Sequence, residues 1–99
     1  MSEKRKRLSE AEIIEGLAAL PEWSLVNAKL YREYRFKDFV EAFGFMSSVA
    51  LVAEAMNHHP EWSNVWATVR VGLSTHDAGG VTALDLELAA KMDAIAARR

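Results

Sequence analysis

Asp38-Phe39-Val40-Glu41-Ala42-Phe43-Gly44-Phe45-Met46 opens a run that no proline interrupts until Asn57-His58-His59-Pro60. Asp38 ahead of the first apolar residues gives a helix start. Phe39, Phe43, Met46, Ala50 and Ala53 then recur at three- and four-residue steps, the spacing of one stripe along a helix of about five turns. Val40, Val49 and Leu51 widen the apolar surface beyond that stripe. One side of so broad a surface is expected to cover a sheet and another to meet a second subunit. Pro60 forbids continuation, so the helix is predicted to end near Asn57 or His58.

Both flanks read as hairpins. Upstream, Trp23 to Val26 and Leu30 to Phe36 are rich in aromatic and β-branched residues around Asn27-Ala28. They form an expected antiparallel pair, with Leu30, Tyr34 and Phe36 on one face and Tyr31 on the other. Downstream, Asn64 to Trp66 and Val69 to Thr75 read as two more strands, and in the longer one Val69, Val71, Leu73 and Thr75 share a face. Ser9-Glu10-Ala11-Glu12 is a capping-box pattern that opens a first helix of roughly ten residues, carrying Ile13, Leu17 and Leu20 and stopped by Pro21. Beyond the Asp77-Ala78-Gly79-Gly80 loop, Thr82-Ala83-Leu84-Asp85 resembles another capping box, and Leu84, Leu88, Met92 and Ile95 mark the last helix. The order α-β-β-α-β-β-α predicts an α+β domain with an antiparallel sheet that carries the helices on one face.

Ninety-nine residues, 51% of them hydrophobic, suffice for one domain with a real core. Residues 8–99 are read as that domain and residues 1–7, with the basic run Lys4-Arg5-Lys6-Arg7, as a flexible tail ahead of it. A charged content of 26% with a net charge of -2 offers no field to attract nucleic acid or a lipid surface. No apolar segment follows the basic run as in a signal peptide, no membrane span is expected, and the cytoplasm is the default location. The chain has no cysteine, which excludes disulfides and thiolate metal ligands.

All three histidines fall between positions 58 and 76, and two are adjacent. Imidazole both gives and takes protons near neutrality. His58 stands where the long helix runs out, and its macrodipole attracts a cation there. Glu54, one turn earlier on the same face, is expected to pair with it. The plain alternative is a helix-end histidine held by Glu54 and nothing more. His59 points elsewhere, and a His-His-Pro turn is hard to explain as core packing, since both rings would need buried partners. His76 ends a strand before a glycine loop, a place where sheets present groups to a cleft. Taken alone it reads equally well as a solvent-facing strand end.

Zinc held by the three rings and Glu54 is the competing reading. Adjacent residues rarely aim at one ion and no His-x-x-x-His spacing is present, so no metal is expected. Ser47, Ser48, Ser63 and Ser74 carry no nucleophile-elbow motif. Trp62 and Trp66 are either core and interface filling or one wall of a slot for a planar heterocycle. Asp85 is either a capping residue alone or also the acceptor that orients a nearby histidine.

Together, Glu54-x3-His58-His59-Pro60-x5-Trp66-x9-His76-x8-Asp85 resembles the signature of the pterin-4a-carbinolamine dehydratases. The likeness extends through Leu8-Ser9, Phe36-Lys37-Asp38-Phe39, Phe43-Gly44-Phe45-Met46 and Leu73-Ser74-Thr75-His76, nearly the whole chain. It implies a four-stranded antiparallel sheet with three helices packed on one face. It further implies dehydration of 4a-hydroxytetrahydropterin to quinonoid dihydropterin without metal or organic cofactor. His58, His59 and His76 would line the pterin pocket, with Glu54 and Asp85 as supporting carboxylates. Homodimers or homotetramers and a link to an aromatic amino acid hydroxylase are also implied. A role as a dimerisation cofactor of a transcription factor is the alternative that the same resemblance carries. Asn57, where relatives often have an acid, and Leu84, where a basic residue is common, depart from the pattern.

Overall fold

The structure, a computed structural model, describes residues 3–98. Its elements are α1 (Glu10–Leu17), β1 (Ser24–Val26), β2 (Lys29–Arg35), α2 (Phe39–Met56), β3 (Glu61–Val65), β4 (Thr68–Leu73) and α3 (Ala83–Ala96). Single 3-10 turns lie at Glu3–Arg5 and His76–Ala78. The four strands form one antiparallel sheet in the order β1-β2-β4-β3, so the second hairpin is inserted with its later strand at the centre. The α-β-β-α-β-β-α order and the four-stranded sheet stand as expected.

Local chemistry sets the element boundaries. Asn27 and Ala28 both have positive φ, 51° and 64°, as a two-residue hairpin turn that follows strand twist requires. Both anticipated capping boxes form, Ser9 with Glu12 and Thr82 with Asp85. Asp38 caps α2 by accepting the Glu41 N–H at 2.9 Å. Strand β3 begins at Glu61, directly after Pro60, rather than at Asn64. It ends before Trp66, whose φ of 50° places it in the turn to β4. The early start puts Trp62 opposite Val71, half-buried against the core, an alternation hidden in sequence by its polar neighbours. β4 is shorter than expected, since Thr75 is joined only by an isolated bridge to Gly80.

One sheet face is apolar and covered. Leu30, Tyr34, Val69, Val71 and Leu73 are all at most 2% exposed and pack against Phe45 and Val49 of α2 and Leu88 and Met92 of α3. The other face carries charge: Glu33 and Arg70 are cross-strand partners joined at 3.1 Å. Gly16 allows α1 to approach α3 closely, for a Cβ there would lie 2.6 Å from Leu86 Cδ1.

The face of α2 that meets the sheet shares only Ala53 and the half-buried Met46 with the anticipated stripe. Ala42, Phe45, Val49 and Ala53 are buried, whereas Phe39 and Phe43 are 47% and 56% exposed and Ala50 is exposed. Two apolar stripes share this helix, and spacing alone does not say which one faces inward. Small Ala42 and Ala53 let the helix lie close to the sheet, with Phe45 filling the space between them. With 18 residues and a mean hydropathy of 1.5, α2 is long and apolar enough by length and composition to cross a bilayer. Here one side of it packs the sheet.

At the far end of the domain Asp93 gathers three donors. Trp23 Nε1 lies 3.0 Å from Oδ1, Arg32 Nη1 lies 2.7 Å from it, and the Tyr34 hydroxyl donates to the same oxygen. The Arg32 guanidinium also lies over the Tyr34 ring, 4.1 Å from its centre. Burial first, and then the Asp93 carboxylate, push the Tyr34 phenol far above its ordinary range.

Candidate active site

The site is built where α2 stops. Asn57 takes the left-handed conformation, φ 52° and ψ 44°, and its N–H donates to Glu54 O while His58 N–H donates to Ala53 O at 3.0 Å. This is a Schellman-type end, in which the residue after the helix reverses the chain. The reversal breaks the one-turn relation between Glu54 and His58. Glu54 therefore pairs with His59 instead, Oε1 to Nε2 at 2.8 Å, on an exposed surface. His58 turns inward, 6% exposed, and its Nε2 lies 2.5 Å from Asp85 Oδ1.

Asp85 is fully buried and fully used. Its Oδ2 accepts the Thr82 N–H at 2.8 Å and the Thr75 hydroxyl at 2.9 Å. Thr75 Oγ1 also lies 2.7 Å from Thr82 Oγ1, which accepts the Leu84 N–H at 3.2 Å. The donors order themselves: Thr82 donates to Thr75, and Thr75 donates to Asp85. A carboxylate so placed accepts from His58 Nε2–H, and this network assigns the tautomer of the ring. Asp85 is thus both a capping residue and the partner of a histidine. It ties the end of α2 to the start of α3 and to Thr75, the residue before His76.

His58, His59 and His76 line one open cleft of about 340 Å³. Arg5, Lys29 and Glu61 also lie on its wall, with Lys29 ion-paired to Glu61. Asp85 and Glu54 stand behind the histidines they contact. Trp62 and Trp66 are not on this wall: the first packs against the core and the second is 67% exposed at the β3–β4 turn. Sequence reasoning missed Arg5 and Lys29. Lys29 follows a recognisable hairpin turn, which fixes its strand position, but nothing local announces that Arg5 reaches the cleft. Of the segment read as a flexible tail, residues 1 and 2 lie outside the described residues. Glu3–Arg5 form a turn, and Lys4 Nζ meets Glu87 Oε1 at 3.0 Å. Among the described residues, no group of three or more histidine, aspartate or glutamate side chains converges as a metal site requires.

A small α+β domain with three imidazoles around one cleft, one of them backed by a buried carboxylate, defines a site suited to proton transfer on a small molecule. A sequence profile of the family described as Pterin 4 alpha carbinolamine dehydratase matches residues 6–95, and the chain belongs to that family of dehydratases, which are hydro-lyases. A protein of Solibacter usitatus that carries the family's name is 59% identical over 91 residues, covering 92% of this chain and 96% of its own. One from Bradyrhizobium diazoefficiens is 56% identical over 93 residues, covering 92% and 93%. A crystal structure from Brucella melitensis, described as a transcriptional coactivator/pterin dehydratase, superposes with a TM-score of 0.90 at 49% identity. It covers 92% of this chain and 99% of that one.

Proposed function

We propose that this protein converts a 4a-hydroxytetrahydropterin to the quinonoid dihydropterin and water by histidine acid–base catalysis. The observation that supports this most is the single cleft shared by His58, His59 and His76, with Asp85 fixing the ring of His58. In the reaction the C4a–O bond breaks, and its oxygen leaves as water once an acid has protonated it. The N5 proton passes to a base, and the freed electron pair forms the C4a–N5 double bond. His58 and His76 are assigned these proton transfers. His59, turned outward and braced by Glu54, is assigned to binding the ring. Asp85 positions His58 and does not itself touch substrate.

The test is a stopped-flow absorbance record of 4a-hydroxytetrahydropterin decay, corrected for the spontaneous reaction. Acceleration proportional to protein concentration is expected, and decay no faster than the spontaneous reaction would overturn the reading. The proposed setting is the cytoplasm, where such an enzyme completes the recycling of a pterin oxidised by an aromatic amino acid hydroxylase. Val40, Phe43 and Leu51, 56–78% exposed along α2, support a homodimer or homotetramer assembled through that helix.

The same apolar face supports a second reading, a non-catalytic module that acts as a dimerisation cofactor of a transcription factor. The Brucella melitensis relative, described as a transcriptional coactivator/pterin dehydratase, favours it. The decay assay separates the two, since a module of that kind leaves the spontaneous rate unchanged.

A further inference from the structure

We infer that Arg5 is a substrate-binding residue of the histidine cleft, carried there by an N-terminal strap. The inference rests on the dehydratase reading for its substrate and on geometry for its residues. Residues 4–8 are held at four points. Lys4 Nζ meets Glu87 Oε1 of α3 at 3.0 Å, and the Lys4 ammonium holds the Glu87 carboxyl below the ordinary carboxylate range. Arg5 Nη2 donates to Asn57 O at 3.5 Å, at the turn that aims His58 and His59. Arg7 lies over Gly80, where a Cβ would come within 3.1 Å of its Nε. Leu8 N–H donates to Val81 O at 2.9 Å. The strap thus touches both chain segments that flank the histidines: the end of α2, and the Gly80–Val81 segment bridged to Thr75.

Charge separates Arg5 from the other cation on the wall. Lys29 is neutralised by Glu61. Among the described residues Arg5 has only a carbonyl oxygen within hydrogen-bond reach and no carboxylate partner. A guanidinium in that position keeps most of its planar fork of donors for a bound molecule. A pterin has an acceptor edge to meet it, the ring carbonyl next to the reacting carbon. Arg5 therefore binds that edge and holds C4a against the histidines. Its contribution is to substrate affinity rather than to the proton transfers.

Steady-state kinetics of Arg5→Ala, Arg5→Lys and Lys6→Ala test this, with a titration of 7,8-dihydrobiopterin followed by fluorescence quenching. Loss of one charge-assisted hydrogen bond to substrate predicts a roughly tenfold higher KM for Arg5→Ala, with kcat within about twofold. Arg5→Lys recovers part of the affinity, because it restores charge without the fork. Lys6→Ala, on the same strap but off the cleft wall, leaves KM unchanged, which excludes a general effect of net charge. Unchanged KM and dihydrobiopterin affinity in Arg5→Ala, in a preparation whose wild type is active, overturn the inference and leave the dehydratase reading intact. If the wild type shows no dehydratase activity, that reading fails on its own. Dihydrobiopterin then decides for Arg5: weaker binding by Arg5→Ala supports the strap, while equal binding or none to either protein overturns it.

Discussion

His58 and Asp85 stand 27 residues apart in the chain, and the imidazole Nε2 lies 2.5 Å from the carboxylate Oδ1 with both side chains buried. A hydrogen bond across that distance in sequence joins two capping events, the left-handed end of α2 and the capping box of α3. The fold is thereby made to deliver one oriented ring to the cleft. Its energetic consequence is asymmetric. The paired state is satisfied, whereas removing either partner leaves a polar group buried without its mate.

Asp85→Asn tests that arrangement. The amide has one acceptor oxygen for the Thr82 N–H and the Thr75 hydroxyl, and presents NH₂ to His58, which disfavours the Nε2–H tautomer. Loss of the carboxylate that holds an acid–base imidazole in one tautomer is expected to lower kcat by about 10²-fold or more. The unmatched buried donors cost about 1–3 kcal/mol of stability. Activity assays and urea denaturation on the same variant measure both, and wild-type turnover in Asp85→Asn would contradict the assigned role.

Glu54→Ala should behave differently. Its pair with His59 is exposed on both sides, 57% and 81% for the two side chains, so folding stability should change by less than about 0.5 kcal/mol. An effect on KM with kcat nearly constant is the expected signature, since His59 is assigned to ring binding. A large fall in denaturation midpoint would show that the pair carries structural weight the geometry does not indicate.

The contrast between these carboxylates shows how far the sequence could be read. Spacing identified the hairpins, both capping boxes, the end of the long helix and the histidines. It paired Glu54 with His58, because a four-residue step on a continuing helix makes them neighbours. Asn57 in the left-handed region ends that continuity one residue too early, and no periodicity reports a residue's φ. The inward face of α2 was illegible for a related reason: with apolar residues on two stripes, only the sheet's shape selects Ala42, Phe45, Val49 and Ala53. Arg5 was out of reach because its contacts with Asn57 and the cleft are wholly tertiary.

Asp93→Ala should destabilise without touching catalysis. Trp23, Arg32 and Tyr34 all lose their shared acceptor. Partial exposure of the cluster limits the loss to about 1–3 kcal/mol. Urea midpoints should fall accordingly while kcat stays at the wild-type value. A fall in kcat with no change in midpoint would reverse this assignment.

Tyr34 predicts an alkaline signature. Its phenol is raised in the folded state, by burial and then by Asp93, so the unfolded chain releases that proton first as pH rises. The stabilisation is complete below the unfolded value of roughly 10 and fades above it. The stability difference between wild type and Tyr34→Phe should therefore narrow above about pH 10. Urea titrations of both proteins across that range are the check, and a difference independent of pH would refute the expectation.

Leu51→Asp, at a position 75% exposed on α2, should lower the molar mass in light scattering if α2 is the assembly surface. The monomer would keep its far-ultraviolet dichroism. A wild-type protein that is already monomeric at micromolar concentration would remove the basis for that proposal.

The most direct measurement is turnover of 4a-hydroxytetrahydropterin by wild type, His58→Ala, His76→Ala and the double variant, each corrected for spontaneous decay. Proton-transfer roles predict that each single substitution lowers kcat by about 10²-fold or more, and that the double loses less than the product of the two. Full turnover in His76→Ala would contradict the claim that imidazoles from the end of α2 and from the 3-10 turn beyond β4 act on one substrate.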